Sequence, residues 1–151
     1  MEWDYLEAIM LKLGFHPSWV NMVMRMVTMV SFSVLFNGER LEEFSPSRGI
    51  RQGDPISPYL FLLAAEGLSC LLKSRSESSN LQGLKVAPTA PTVNHLLFAD
   101  DSLLFIKANG ESARDARDTL DAYCRASGQR INLDKSSIFS ASAVQEVSRM
   151  S

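Results

Sequence analysis

The sequence predicts an α+β fold, with helices segregated from short antiparallel strands. Three observations carry that prediction. Apolar residues recur at helical spacing in the first two segments. The dipeptide Asn37-Gly38 stands between two strand-like runs. A second pair of strand-like runs flanks Asp100-Asp101.

Each element follows from local pattern. Trp3, Leu6, Ile9, Met10 and Leu13 mark the first helix, and Gly14 is its stop signal. Pro17 opens a second helix, where its missing N–H costs little, and Val20, Val23, Met24 and Val27 form the inward stripe. Met22, Met24, Met26 and Met29 are expected to serve as adaptable core packing. Phe32, Val34 and Phe36 alternate as in a strand, Asn37-Gly38 is a hairpin turn, and Arg40 to Ser45 is the returning strand. Ser57-Pro58 reads as a cap and first helical residue. Tyr59 to Leu72 is apolar nearly all round, which predicts a central, buried helix. Lys73 and Arg75 fall at its end, where cations suit the helix dipole. Ser74 to Pro91 is an exposed connection with a short strand at Leu84 to Val86.

His95 to Phe98 and Leu103 to Ile106 form the second hairpin. Glu111 to Ala126 is an amphipathic helix with Ala113, Ala116, Leu120 and Tyr123 inward, closed by Gly128. Ser136 to Ser140 is a last strand. No internal repeat and no second-domain boundary appear, so residues 1–151 read as a single domain.

Composition narrows the function classes. The 151 residues are 46% hydrophobic and 21% charged, enough for a real core and against wholesale disorder. The net charge of −2 does not announce a nucleic-acid binder, so such a surface would be a local basic cluster. Cys70 and Cys124 have no metal-ligand spacing and read as buried free thiols. The longest apolar run, Tyr59 to Ala65, is far short of the about 20 residues of a membrane span. Met1-Glu2-Trp3-Asp4 carries acid rather than the positive start of a signal peptide, and no targeting signal is visible.

Three stretches carry possible chemistry. In Leu96-Leu97-Phe98-Ala99-Asp100-Asp101-Ser102-Leu103-Leu104-Phe105, two carboxylates project from the tip of a hairpin. Their mutual repulsion favours a cation, and carboxylates are the expected ligands of Mg²⁺. An ordinary exposed turn has the same dipeptide, because Asp suits turns. In Arg48-Gly49-Ile50-Arg51-Gln52-Gly53-Asp54-Pro55-Ile56-Ser57-Pro58, two arginines precede a helix start, a favourable place for an anion. Gly53 would allow close backbone approach to a base or sugar. A capped loop with solvated arginines is the plain alternative. In Ser127-Gly128-Gln129-Arg130-Ile131-Asn132-Leu133-Asp134-Lys135-Ser136, Lys135 could reach a polyphosphate or donate a proton, or could simply be solvated.

Together these stretches resemble the reverse transcriptases of non-LTR (LINE-type) retrotransposons, of the kind abundant in plants. The resemblance covers nearly the whole chain. Arg48 to Pro58 looks like motif B, Phe98-Ala99-Asp100-Asp101 like motif C, and Ser127 to Ser136 like motif D. The order and spacing of the three make each more specific than it is alone.

The resemblance implies a partial palm: a ferredoxin-like antiparallel sheet with helices on one face. It implies that Asp100 and Asp101 are catalytic and metal-binding, with Mg²⁺ or Mn²⁺. It also implies that Arg48, Arg51, Gln52, Gly53, Pro55, Ser57 and Lys135 contact template or nucleotide. RNA template, DNA primer and dNTP are the implied partners, with no membrane and no inferable obligate protein partner. Intact relatives act on nuclear DNA.

In the family a first catalytic aspartate, at motif A, precedes a Glu-Trp-Asp stretch like Glu2-Trp3-Asp4. Asp4 matches the later aspartate at the helix start, so it is expected to favour the dipole rather than a metal. The expectation is therefore weak or single-ion binding by Asp100 and Asp101. The fingers, thumb and endonuclease regions have no counterpart here. A palm without its motif A strand is expected to expose strand edges and lose stability. The reading is a polymerase fragment inactive as this isolated chain; the alternative is a non-catalytic nucleic-acid-binding remnant, motivated by Arg48, Arg51, Gln52, Lys73 and Arg75.

Overall fold

A computed structural model of the chain describes residues 1–78 and 81–140. Its elements are α1 (Trp3–Lys12), α2 (Pro17–Thr28), β1 (Leu35–Phe36), β2 (Glu39–Arg40), α3 (Ser57–Ser78), β3 (His95–Phe98), β4 (Asp101–Leu104) and α4 (Gly110–Ser127), followed by a 3₁₀ turn at Leu133–Lys135. The mixture of helices and small antiparallel sheets is the α+β class that the pattern predicts. Among the described residues the strands form two separate two-stranded ladders, β1–β2 and β3–β4. The described residues divide into two compact units: Met1–Leu68 with Arg125–Gly128, and Ser69–Cys124 with residues 129–140.

The first unit is built on helix packing. Leu6 and Met10 of α1, Val20, Val23, Met24 and Val27 of α2, and Leu60 and Ala64 of α3 form one buried cluster. Gly14, at φ +91°, ends the α1 segment as its position predicts. The Tyr5 hydroxyl donates to the Ala64 carbonyl at 2.8 Å. It can lie there because Gly67 has no side chain: a Cβ at that position would be 2.1 Å from Tyr5 Oη.

Three expectations about the helices fail. Only Met24 of the four methionines is buried; Met22, Met26 and Met29 are exposed and line an open hollow with Ser18, Asn21 and Arg25. They fall on the helix face opposite the valine stripe, where period outweighs residue type. The helix expected to be buried all round instead buries one stripe, Leu60, Ala64, Leu68 and Leu72, and leaves Tyr59 and Leu62 exposed. Cys70 is exposed and Cys124 half-buried, both as free thiols, so neither is the buried cysteine expected.

The first hairpin turns at Asn37 (φ 51°) and Gly38 (φ 87°), the two left-handed residues that a tight hairpin needs. Its ladder is shorter than expected: Leu35 pairs with Arg40 and Phe36 with Glu39, and a separate bridge joins Phe32 to Phe44.

In the second unit, β3 and β4 pair antiparallel from His95↔Leu104 to Phe98↔Asp101. The expected strand at Leu84–Val86 is reduced to one bridge, Leu84↔Val93, with the Gly83 backbone pressed against it. Helix α4 starts where Asn109 Oδ1 accepts from the Ser112 N–H at 2.7 Å, an N-cap. Its buried positions are Ser112, Ala116, Thr119, Tyr123 and Ser127. Ala113 faces out and Leu120 is half-buried, contrary to expectation, because the buried stripe begins one residue earlier. Residues 136–140 form no strand; Ile138 and Phe139 are exposed.

Candidate active site

The Asp100–Asp101 turn is built by local pairing. Phe98 pairs with Asp101, so only Ala99 and Asp100 lie in the turn. Ala99 carries φ 49°, a left-handed conformation that costs a residue with a Cβ about 1–2 kcal/mol. Strain of this kind collects at functional turns, where the surroundings hold it in place. Asp100 occupies the turn and Asp101 opens β4, and both are exposed. Neighbouring Phe98 is 81% exposed, so the tip carries an apolar ring beside two carboxylates.

These two carboxylates suit a hydrated divalent ion, because Mg²⁺ keeps few protein ligands and fills its shell with water and phosphate oxygens. Among the described residues no group of three or more His, Cys, Asp or Glu side chains stands ready to hold a metal. Two adjacent ions would need more bridging charge than this turn contributes.

The Arg48–Ser57 loop is held by contacts with the start of the chain. The Arg48 guanidinium pairs with Glu2 at 3.0 Å. The Gly49 N–H donates to the Met1 carbonyl at 2.8 Å, and Trp3 Nε1–H donates to the Gly49 carbonyl at 2.6 Å. Glu2 is itself fixed, its N–H donating to the Ser127 carbonyl at 2.8 Å. It packs so closely on Gly128 that a Cβ there would be 2.8 Å from the Glu2 carboxylate.

Farther along the loop, Gln52 and Gly53 form an exposed turn, with Gly53 at φ 82°. Asp54 Oδ1 accepts from the Ile56 N–H at 3.1 Å. The Ser57 hydroxyl donates to the Arg51 carbonyl at 2.5 Å, so it closes the loop on itself. The Arg51 and Pro55 side chains are exposed.

Lys135 ends the 3₁₀ turn and is exposed; its N–H donates to the Asn132 carbonyl at 3.2 Å, and the Ser136 hydroxyl reaches the same carbonyl at 2.7 Å. Asp100 and Asp101 therefore share one turn, and Arg51 and Ser57 share one closed loop. Arg48 is engaged with an acid that the motif reading did not assign to the loop. Glu2 and Trp3 are the residues that reading missed. Trp3 and Gly49 lie 46 residues apart, and no local signal in the sequence links them.

Comparison with known proteins gives the same direction. Residues 1–148 match the family described as reverse transcriptase (RNA-dependent DNA polymerase). An uncharacterized mitochondrial protein of Arabidopsis thaliana is 51% identical over 73 residues, which is 47% of this chain and 60% of that protein. The Transposon TX1 uncharacterized 149 kDa protein of Xenopus laevis is 31% identical over 134 residues, 89% of this chain and 10% of that protein. The retrovirus-related Pol polyprotein from type-2 retrotransposable element R2DM of Drosophila melanogaster is 36% identical over 99 residues, 66% of this chain and 8% of that polyprotein. The chain thus spans between 8% and 60% of the length of these relatives. With the family matched over residues 1–148 and retrotransposon proteins among its relatives, the chain belongs to the reverse transcriptase family, in its non-LTR retrotransposon group.

Proposed function

We propose that this chain forms the motif B, C and D part of a reverse transcriptase palm, and that Asp100 and Asp101 contribute to its metal centre. The observation that carries the proposal is the strained two-residue turn that exposes both carboxylates at the hairpin tip. Mg²⁺ or Mn²⁺ held there would supply charge neutralisation for nucleotidyl transfer from a dNTP to the primer 3′ end, with pyrophosphate as the leaving group. The chain's own contribution is to hold two carboxylate oxygens on one rigid turn. Gln52, Gly53 and Pro55 form an exposed stretch just before α3, left-handed at Gly53, suited to close approach by template or nucleotide. Arg51 and Lys135 are exposed cations able to meet phosphate oxygens. Ser57 acts by closing the loop on Arg51. Arg48 is paired with Glu2, so its part is to anchor the loop more than to bind phosphate.

The two-stranded β3–β4 ladder leaves both of its outer edges without a partner strand among the described residues. We infer that a further palm strand pairs there and brings a third carboxylate. Residues 1–151 alone are therefore expected not to extend a DNA primer on an RNA template with Mg²⁺ or Mn²⁺. Synthesis by the 151-residue chain that Asp101→Ala abolishes would overturn that inference and leave the metal role of Asp101 standing.

A further inference from the structure

An isolated two-stranded hairpin is marginal in water, so something must hold the Asp100–Asp101 turn in place. The base of β3 carries a chain of hydrogen bonds that does so. Asn94 Nδ2 donates to the Leu72 carbonyl of α3 at 3.3 Å. That carbonyl can only accept, which orients the amide and leaves Asn94 Oδ1 toward the imidazole of His95, 2.6 Å from Nδ1. Oδ1 can only accept in turn, so Nδ1 carries the proton. His95 Nε2 lies 2.9 Å from the Ser69 hydroxyl of α3, and in the neutral ring it is the acceptor of that hydroxyl's proton. Ser69 is only 6% exposed.

The order serine, histidine, asparagine is that of an activated nucleophile. Here the serine is buried on the face of a helix, out of reach of a substrate. The same order of groups therefore holds backbone in place. It fixes the first residue of the strand that ends at Phe98, next to the strained Ala99 turn.

We propose that Ser69, His95 and Asn94 form a positioning relay that clamps the Asp100–Asp101 turn onto the Ser69–Leu72 stretch of α3. Its consequence for metal binding rests on the function proposed above; its mechanical part does not. The test is amide hydrogen exchange on the 151-residue chain. The reporter is the Phe105 N–H, which donates to the Asn94 carbonyl at 2.9 Å and closes the base of the ladder.

Ser69→Ala and His95→Phe should each speed exchange at Phe105 by about tenfold while the amides of α1 and α2 stay unchanged. His95→Gln, which keeps an amide able to meet Ser69, should restore most of the protection. Ser69→Ala added to His95→Phe should cost little more, because both break one chain. Unchanged Phe105 exchange in Ser69→Ala, or equal losses in His95→Phe and His95→Gln, would overturn the relay.

Mn²⁺ broadening of the Asp100 and Asp101 amides is read on the same samples. A loss of about tenfold in Mn²⁺ affinity in His95→Phe, with the Asp101→Asn variant losing binding outright, extends the relay to the metal. No broadening in the wild-type chain would remove the metal reading and leave the exchange result to decide the relay.

Discussion

The Arg48–Ser57 loop and the Asp100–Asp101 hairpin are both short, polar and exposed at their tips, yet they are held in different ways. The hairpin tip is closed by its own neighbours, since Phe98 pairs with Asp101 across two residues, and its base is tied to α3 through Asn94 and His95. The loop is made by residues remote in sequence, through Met1, Glu2 and Trp3. A locally closed turn tied only to the Ser69–Leu72 stretch of α3 should outlast damage to the Leu6 cluster. A loop held from a distance depends on the core that carries its anchors. The two sites should therefore respond to different mutations, and the contrast can be tested in descending order of effect.

The largest effect is expected from Leu6→Ala, in the middle of the first unit's core. Leu6 is fully buried, and truncating it should cost about 3 kcal/mol, read as a lower denaturant midpoint. Exchange in the Arg48–Ser57 loop should rise with it, while the β3–β4 ladder keeps its own protection. Equal loosening of both regions would erase the contrast.

Gly67→Ala comes next. The added methyl would stand 2.1 Å from Tyr5 Oη, so Tyr5 must leave the Ala64 carbonyl, at a cost of about 1–3 kcal/mol. Pairing Gly67→Ala with Tyr5→Phe in a double-mutant cycle should recover part of that loss. Strict additivity would show that the clash is relieved elsewhere.

Ala99→Gly has the opposite sign. Glycine accepts the left-handed backbone freely, so the hairpin tip should gain up to about 1 kcal/mol of local stability, after the cost of a more flexible unfolded chain. Slower exchange along β3–β4 would report it; faster exchange would mean that Ala99 is not strained in solution.

The smallest effect belongs to Glu2→Gln. The pair with Arg48 is exposed, and exposed pairs contribute about 0–1 kcal/mol. Global stability should barely move, while the Arg48 guanidinium becomes free to take a phosphate. A gain in RNA binding that disappears with added salt would show that Glu2 competes with nucleic acid for Arg48. No gain would confine Arg48 to anchoring.

Much of this was legible in the sequence, where the signal was local. Gly14, Asn37-Gly38 and Gly128 stop or turn the chain where their backbone freedom predicts. Asp100 and Asp101 fall at a hairpin tip as the flanking apolar runs require. The misplaced helix faces have one cause. Met22, Met26, Met29, Tyr59 and Leu62 are apolar yet exposed. Composition describes what a residue tolerates, whereas the helix period decides which face meets the core. Ser69, Ser112 and Thr119 are polar yet buried, and Ser69 and Thr119 have hydrogen-bond partners that composition does not predict.

The sequence alone determined the family, the helix and hairpin positions, and the presence of two adjacent carboxylates at a turn. Each depends on residues close together along the chain, where backbone geometry and side-chain period act directly. Tertiary structure alone decided that Glu2 and Trp3 hold the Arg48 loop, that Gly67 must be bare for Tyr5, and that His95 ties the carboxylate hairpin to α3. Those contacts join residues 26 to 62 positions apart, and only packing of the folded chain brings them within bonding distance.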